Sequence, residues 1–398
     1  MTFEKVKQIA QAVIDSVDLD EDEESIPASV WTSRAANYVK LCNEVEDLFR
    51  CDATELKPPP VQLLLFLGSI VGNVQTSCKL HTNTQLQEAA LCLLATVNQH
   101  CCVSSTRQLL SLQPHKSSQP KPESLSIQVL RLCVRHLVRS KVDQAVGDPL
   151  ESRWLYRDTL VWLTAELDYP EIAGEEFISV LQPLGLRLTS DYRTKLQLSG
   201  FWVLQQLAKK ARVADWRQNN RAEAVLSHLC EHRISSGPAV SELILREVYV
   251  TMFDLIRLLS EDRLRDWHIK LADRLLFDLT METRKLTKSL PEEAQDENVY
   301  MLMLHCVRTF IQLAWPLIHW TTLLPELIPP LIAFVDLEST LASRSGSDRE
   351  LAWFESALAQ ALKSVLSDLV DLHPPIFQKI LVPSCATVPS LNKLLPAQ

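Results

Sequence analysis

The stretch Val180–Lys209, VLQPLGLRLTSDYRTKLQLSGFWVLQQLAK, decides the fold. Leu181, Leu184 and Leu188 recur at steps of three and four, and so do Leu196, Gly200, Val203, Leu204 and Leu207. Residues so spaced share one face of a helix. Pro183 removes one N–H from the first helix and bends it. Asp191, in the link, is the residue type that caps a following helix through its carboxylate. Gly200, without a Cβ, lets the two helices approach closely. The stretch therefore predicts two short helices packed back to back.

The same spacing recurs outward from this pair. Leu351, Phe354, Leu358, Leu362, Val365 and Leu369 share a face, as do Leu264, Trp267, Leu271, Leu275 and Leu279. Pro27, Pro58–Pro60, Pro149, Pro170, Pro238, Pro291 and Pro374 fall between such runs, where a helix can begin with no lost hydrogen bond. No run alternates as a strand does. Phe177–Leu188 is ambiguous, and its length favours helix. Asp18–Ser25 (DLDEDEES) reads as an acidic linker, the centre of Ser104–Ser124 as a flexible loop, and Leu341–Asp348 as a shorter one. Proline at 183, aspartate eight residues on and leucine five further resembles the HEAT-repeat consensus, with Gln197 where that pattern has arginine. The resemblance implies an all-α, HEAT-like helical-repeat solenoid, and the chain 1–398 is expected to form one elongated array.

Composition agrees with helices. The 398 residues hold 67 leucines and only 8 glycines, about 2% against a usual ~7%. So little glycine argues against dinucleotide-binding loops, β-sandwiches and loop-rich catalytic domains. A net charge of −9 makes nucleic acid a poor partner for the chain as a whole. Met1–Val17 lacks the apolar core of a signal peptide. The longest apolar run, Phe310–Val335, is broken by Pro316, Pro325, Pro329 and Pro330, so no membrane span is expected. The 10 cysteines form no CxxC pair, which points to a reduced intracellular compartment; the expected location is the cytoplasm, with the nucleus as a second site.

Chemistry-bearing motifs are few. His228-Leu-Cys-Glu-His232 fits H-x-x-E-H, in which two histidines on one helical face hold zinc beside a general base. A third ligand is not nominated, and histidines in a last helical turn also suit the exposed carbonyls and the dipole there. A zinc hydrolase is thus a remote alternative. Asp18-x-Asp20-x-Asp22 starts like a calcium loop but has Glu23 and Ser29 where glycine and glutamate are required. His100 with Cys101 and Cys102 could suggest a reactive thiol, although the end of an apolar helix suits packed cysteine better. No metal, cofactor or catalytic set is expected.

Two features suit protein partners. Arg131, Arg135 and Arg139 stand four apart on an otherwise apolar helix, a ladder that could receive an acidic segment or pair with local carboxylates. Phe310–Val335 has Glu326 as its only formal charge and carries Trp315 and Trp320, which are either core or a partner surface. The region 291–398 is the candidate partner-binding end, because Ile376, Phe377, Ile380 and Leu381 need a cover, from a folded-back cap or from another chain. Val180–Lys209 and LLPELIPPLIAFVD (Leu323–Asp336) together resemble the family of the smallest helical-repeat subunits of the Triple-T complex, built around the telomere-maintenance regulator. The resemblance implies a non-enzymatic co-chaperone, associated with larger helical-repeat subunits and, through them, with heat-shock chaperone machinery. Its task would be the maturation and stability of phosphatidylinositol-3-kinase-related kinases in DNA-damage signalling. A transport adaptor or phosphatase scaffold of HEAT or armadillo type is the alternative.

Overall fold

The computed structural model describes residues 2–17, 27–51, 58–75, 83–113, 123–137, 154–173, 175–191, 193–231, 238–288, 297–314, 317, 320–344, 355–372, 374–375, 379 and 381–395. Of these, 88% are helical and none lies in a strand, so the fold is all-α and of helical-repeat type. The helices are α1 (Thr2–Val17), α2 (Ala28–Cys51), α3 (Val61–Gln75), α4 (Thr84–His100), α5 (Thr106–Ser111), α6 (Leu125–Leu137), α7 (Trp154–Glu166), α8 (Glu175–Thr189) and α9 (Thr194–Lys210). There follow α10 (Val213–Arg217), α11 (Arg221–Glu231), α12 (Pro238–Ile256), α13 (Glu261–Lys288), α14 (Glu297–Ala314), α15 (Trp320–Arg344), α16 (Ala357–Leu372), α17 (Val382–Thr387) and α18 (Leu391–Leu394). They group into two compact units, 1–215 and 216–398.

In the first unit α7 is the centre. Every residue from Trp154 to Thr164 is buried, polar ones included, with α3, α6 and α9 packed around it. Its approach to α3 depends on two glycines one turn apart. A Cβ on Gly72 would lie 1.9 Å from the Asp158 carbonyl oxygen, and one on Gly68 would lie 2.5 Å from Trp162 Cε3. Thr159 Oγ1 donates to the Leu65 carbonyl of α3 at 2.7 Å. Arg157 Nε donates to Asp158 Oδ1 at 2.7 Å, a charge pair almost wholly out of water. Such a pair adds little net stability, but loss of one member leaves a buried charge.

The α8–α9 pair is the helical hairpin that Val180–Lys209 predicts, with the ambiguous Phe177–Leu188 run inside α8. A Cβ on Gly200 would fall 2.7 Å from both Gly185 O and Thr189 N, so this glycine does set the helix contact. Asp191 departs from expectation. The residue capping α9 is Arg193, whose side chain makes no capping bond. Asp191 instead accepts the Arg193 backbone N–H at 2.9 Å, Nε at 2.8 Å and Nη2 at 2.8 Å. Gln197, in the place of the consensus arginine, donates to the Asp191 main-chain oxygen at 2.6 Å rather than to its carboxylate. The Asp191 partner is thus the arginine two residues on in the same link. Within the stretch read as a loop from residue 104, α5 forms, seating Leu109 and Leu110 fully in the core. Two adjacent leucines are too short a signal for periodicity. The loop centre, 114–122, and the acidic run at 18–25 lie outside the described residues.

Helix C-termini in both units are closed by distant cations. Lys210 Nζ donates to the carbonyls of Thr164 (3.0 Å), Ala165 and Leu167 (2.8 Å) at the end of α7. Arg107 adds bonds to the Tyr169 carbonyl, Asp168 and Glu171 just beyond. In the second unit, Arg274 of α13 donates to the Cys230 carbonyl at 3.0 Å. Arg217 donates to Leu258 and Leu259, just past α12.

The second unit is built on aromatic and apolar contacts. Tyr300 and Phe334 stack at 4.0 Å, and the buried His268 ring stands 6.3 Å from Phe310 with Nδ1 2.6 Å from the Leu264 carbonyl oxygen. Tyr249 Oη and Arg274 Nε both donate to Asp278 at 2.8 Å. Arg308 ties α14 to Asp368 of α16 at 2.8 Å. The chain then folds back: α18 packs on α16 and α15, and Leu381, Leu391 and Leu394 are buried. Ile376, Phe377 and Ile380, which with Leu381 are expected to need a cover, lie outside the described residues.

Two outcomes follow. Glycine to alanine ordinarily stabilises a helix by about 1 kcal/mol, but Gly72→Ala should destabilise the protein by about 3 kcal/mol, the upper range for overpacking. Urea unfolding monitored by circular dichroism measures the sign. Burial holds His268 below the ordinary histidine pKa, against the weaker effect of its bond to Leu264. The unfolded chain then binds more protons below about pH 6.5, so stability falls with acid. His268→Asn should flatten that dependence, measured as urea midpoints across pH.

Candidate functional site

A cleft of about 700 Å3 opens on the first unit between α1, the segment before α3, and α6. Its walls follow from local sequence. Pro58–Pro60 cannot continue a helix backwards, and the Pro60 carbonyl accepts the Leu63 N–H in the first turn of α3 at 3.0 Å. Pro59 and Pro60 are buried and Pro58 half-buried, giving a stiff apolar wall that carries no N–H donors. Across from it, α6 buries Leu125, Val129, Leu130, Cys133 and Leu137 and turns Arg131 and Arg135 outward. Phe3, Glu4 and Lys7 from the first turns of α1 close the third side.

The charges are distributed unevenly. Arg131 Nη1 donates to Glu123 Oε1, and the Arg131 side chain is 56% exposed. Gln128 Nε2 donates to the Glu123 carbonyl at 3.0 Å, holding that residue at the rim. Among the described residues Arg135 and Lys7 have no ion-pair partner. The arginine stripe thus splits in two: Arg131 is locally paired and Arg135 is open to the cleft, while Arg139 lies outside the described residues. The contribution of α1 and the prolines was not evident from the stripe, since they come from chain segments more than fifty residues away.

The other candidates are core or stay undescribed. Trp315 lies outside the described residues and Trp320 opens α15. Phe310, Leu324, Leu327, Ile328, Leu331, Phe334 and Val335 of the same stretch are buried. A second cleft of about 340 Å3 lies between α15 and the tail, lined by Pro325, Ile328, Pro329, Ile332 and Val388.

His228 sits in the last turn of α11, and burial lowers its pKa, with Glu231 opposing; His232 lies outside the described residues. Among the described residues no group of His, Cys, Asp and Glu is arranged to hold a metal ion. The carbonyl of Cys230 receives Arg274, so a cation from α13, not only histidine, serves this helix end. Cys101 has its pKa pushed up to about 11, by burial first and by Cys102 second, which keeps it a thiol of low reactivity. No described helix is long and apolar enough to cross a membrane.

No protein-family model matches this chain, and no curated protein is significantly similar to it. Elemental analysis of the purified protein should find zinc well below one per chain. One tightly held zinc, lost in His232→Ala, would revive the hydrolase.

Proposed function

We propose that this chain is a non-enzymatic scaffold that binds other protein chains. The observation that carries the reading is the cleft on the first unit: a rigid proline wall stands with an arginine and a lysine that have no ion-pair partner among the described residues. Cations left open beside desolvated apolar surface are what a polar-rimmed docking site requires. The all-α repeat architecture supports the same reading, because paired helices present extended surface without needing catalytic loops.

The finer identity rests on the resemblance of Val180–Lys209 and Leu323–Asp336. It makes the chain a co-chaperone subunit held by larger helical-repeat subunits, working in the cytoplasm and the nucleus. Heat-shock chaperone machinery and phosphatidylinositol-3-kinase-related kinases would be reached through that assembly. The α8–α9 hairpin supports it, since Gly200 fulfils the packing role the motif implies. The departure at Asp191 and Gln197 sets this repeat apart from one bearing an inter-repeat Asp–Arg ladder.

Affinity purification of the tagged full chain from cells, with mass spectrometry, tests both levels. Stoichiometric large helical-repeat proteins are expected in the eluate, and depletion of the chain should lower the abundance of the kinases. An eluate without stoichiometric protein partners would overturn the scaffold. Stoichiometric partners with unchanged kinase levels would overturn the co-chaperone identity alone.

A further inference from the structure

We infer that the α1–α3–α6 cleft binds an extended, acidic segment of a partner protein, with a carboxylate seated between Arg135 and Lys7. The inference rests on the scaffold reading and adds the chemistry of what is bound. Three observations fix that chemistry. The first is charge: Arg135 and Lys7 stand on different walls of one cleft, and neither forms an ion pair with a described residue, Glu4 on the α1 wall included. A ligand carboxylate entering between them meets two cations at once, and partial desolvation by the proline wall strengthens both attractions.

The second is the lining. Pro59 and Leu125 are buried and Phe3 and Leu132 half-buried, so the floor offers apolar contact rather than further charge. A bare inorganic anion would leave that floor wet. A peptide with an apolar side chain next to its acidic one covers the floor and satisfies the rim together. Gln62 and Gln128 stand beside it with amide groups suited to a peptide backbone.

The third is the arrangement of the walls: the prolines face α6, and α1 closes the third side. An extended strand sends alternate side chains to opposite faces, so it addresses both walls at once. Acidic side chains then face α6 and α1 while apolar ones face the prolines. The Glu123–Arg131 pair beside the site already shows the contact the ligand would repeat, a carboxylate on the outer face of α6.

The test is selection from a displayed library of random peptides about ten residues long, panned on the folded full chain. Enriched sequences should carry Asp or Glu next to Leu, Phe or Pro. A labelled synthetic peptide of the enriched consensus, measured by fluorescence anisotropy, should bind about ten-fold or more weakly to Arg135→Glu and to Lys7→Glu. Its binding should also fall as salt rises. Both side chains are exposed, so unchanged circular dichroism melting shows that the variants fold. Absence of enrichment, enrichment without acidic residues, or a consensus bound equally by both variants would overturn the inference. If the cellular partners are retained by Arg135→Glu/Lys7→Glu, the cleft is not their site and the scaffold reading stands without it. If the wild-type chain has no partners, the scaffold reading itself has failed.

Discussion

The contact between α3 and α7 is closer than any side chain would permit. At Gly72 the backbone of one helix occupies the space where a Cβ would stand, 1.9 Å from the Asp158 carbonyl oxygen. Helices packed through ordinary side chains keep their axes about 8–10 Å apart. Here missing methyl groups let the backbones nearly touch, and Thr159 donates across the gap to Leu65. The rest of the first unit follows. With α3 this close, α7 has no free face, so α6 and α9 close round it and even Arg157 and Asp158 are carried inside as a pair. The cleft inherits its geometry from the same contact, because α3, whose first turn lines it, and α6, one face of which forms a wall, both pack on α7.

How far the sequence could be read depends on the range of the interaction. Helical class, the α8–α9 hairpin and the role of Gly200 were legible, because periodicity and a small residue on an apolar face are local signals. Asp191 was misassigned since its type fits a cap; its carboxylate does take a backbone N–H, but that of Arg193 in the link, and it takes the Arg193 guanidinium as well. Gly68 and Gly72 were overlooked, although two glycines four apart in an apolar helix in a glycine-poor chain are a signal in themselves. They place two missing side chains on one face. The arginine stripe was visible, but not which arginine is neutralised. That depends on Glu123, eight residues from Arg131, and on α1, more than a hundred residues away.

Scarce glycine also shapes how helices stop. A common helix ending places glycine in the left-handed conformation to turn the final carbonyls back onto the chain. This protein closes several ends with long cationic side chains sent from other helices. Lys210 covers α7, Arg274 covers α11, and Arg217 takes carbonyls just after α12. Each bond is charge-assisted, and those of Lys210 and Arg274 are also partly sheltered, which makes them stronger than a neutral one in water.

Such closures change what local motion costs. A helix end that stops on its own glycine can fray and re-form without disturbing its neighbours. The last turn of α7 is tied to Lys210 in α9 and, just beyond, to Arg107 in α5. Loosening it would strand three carbonyls and an ammonium group away from water at once. Amide hydrogens there should exchange with solvent only when the helices separate, so the end of α7 opens together with its surroundings instead of ahead of them.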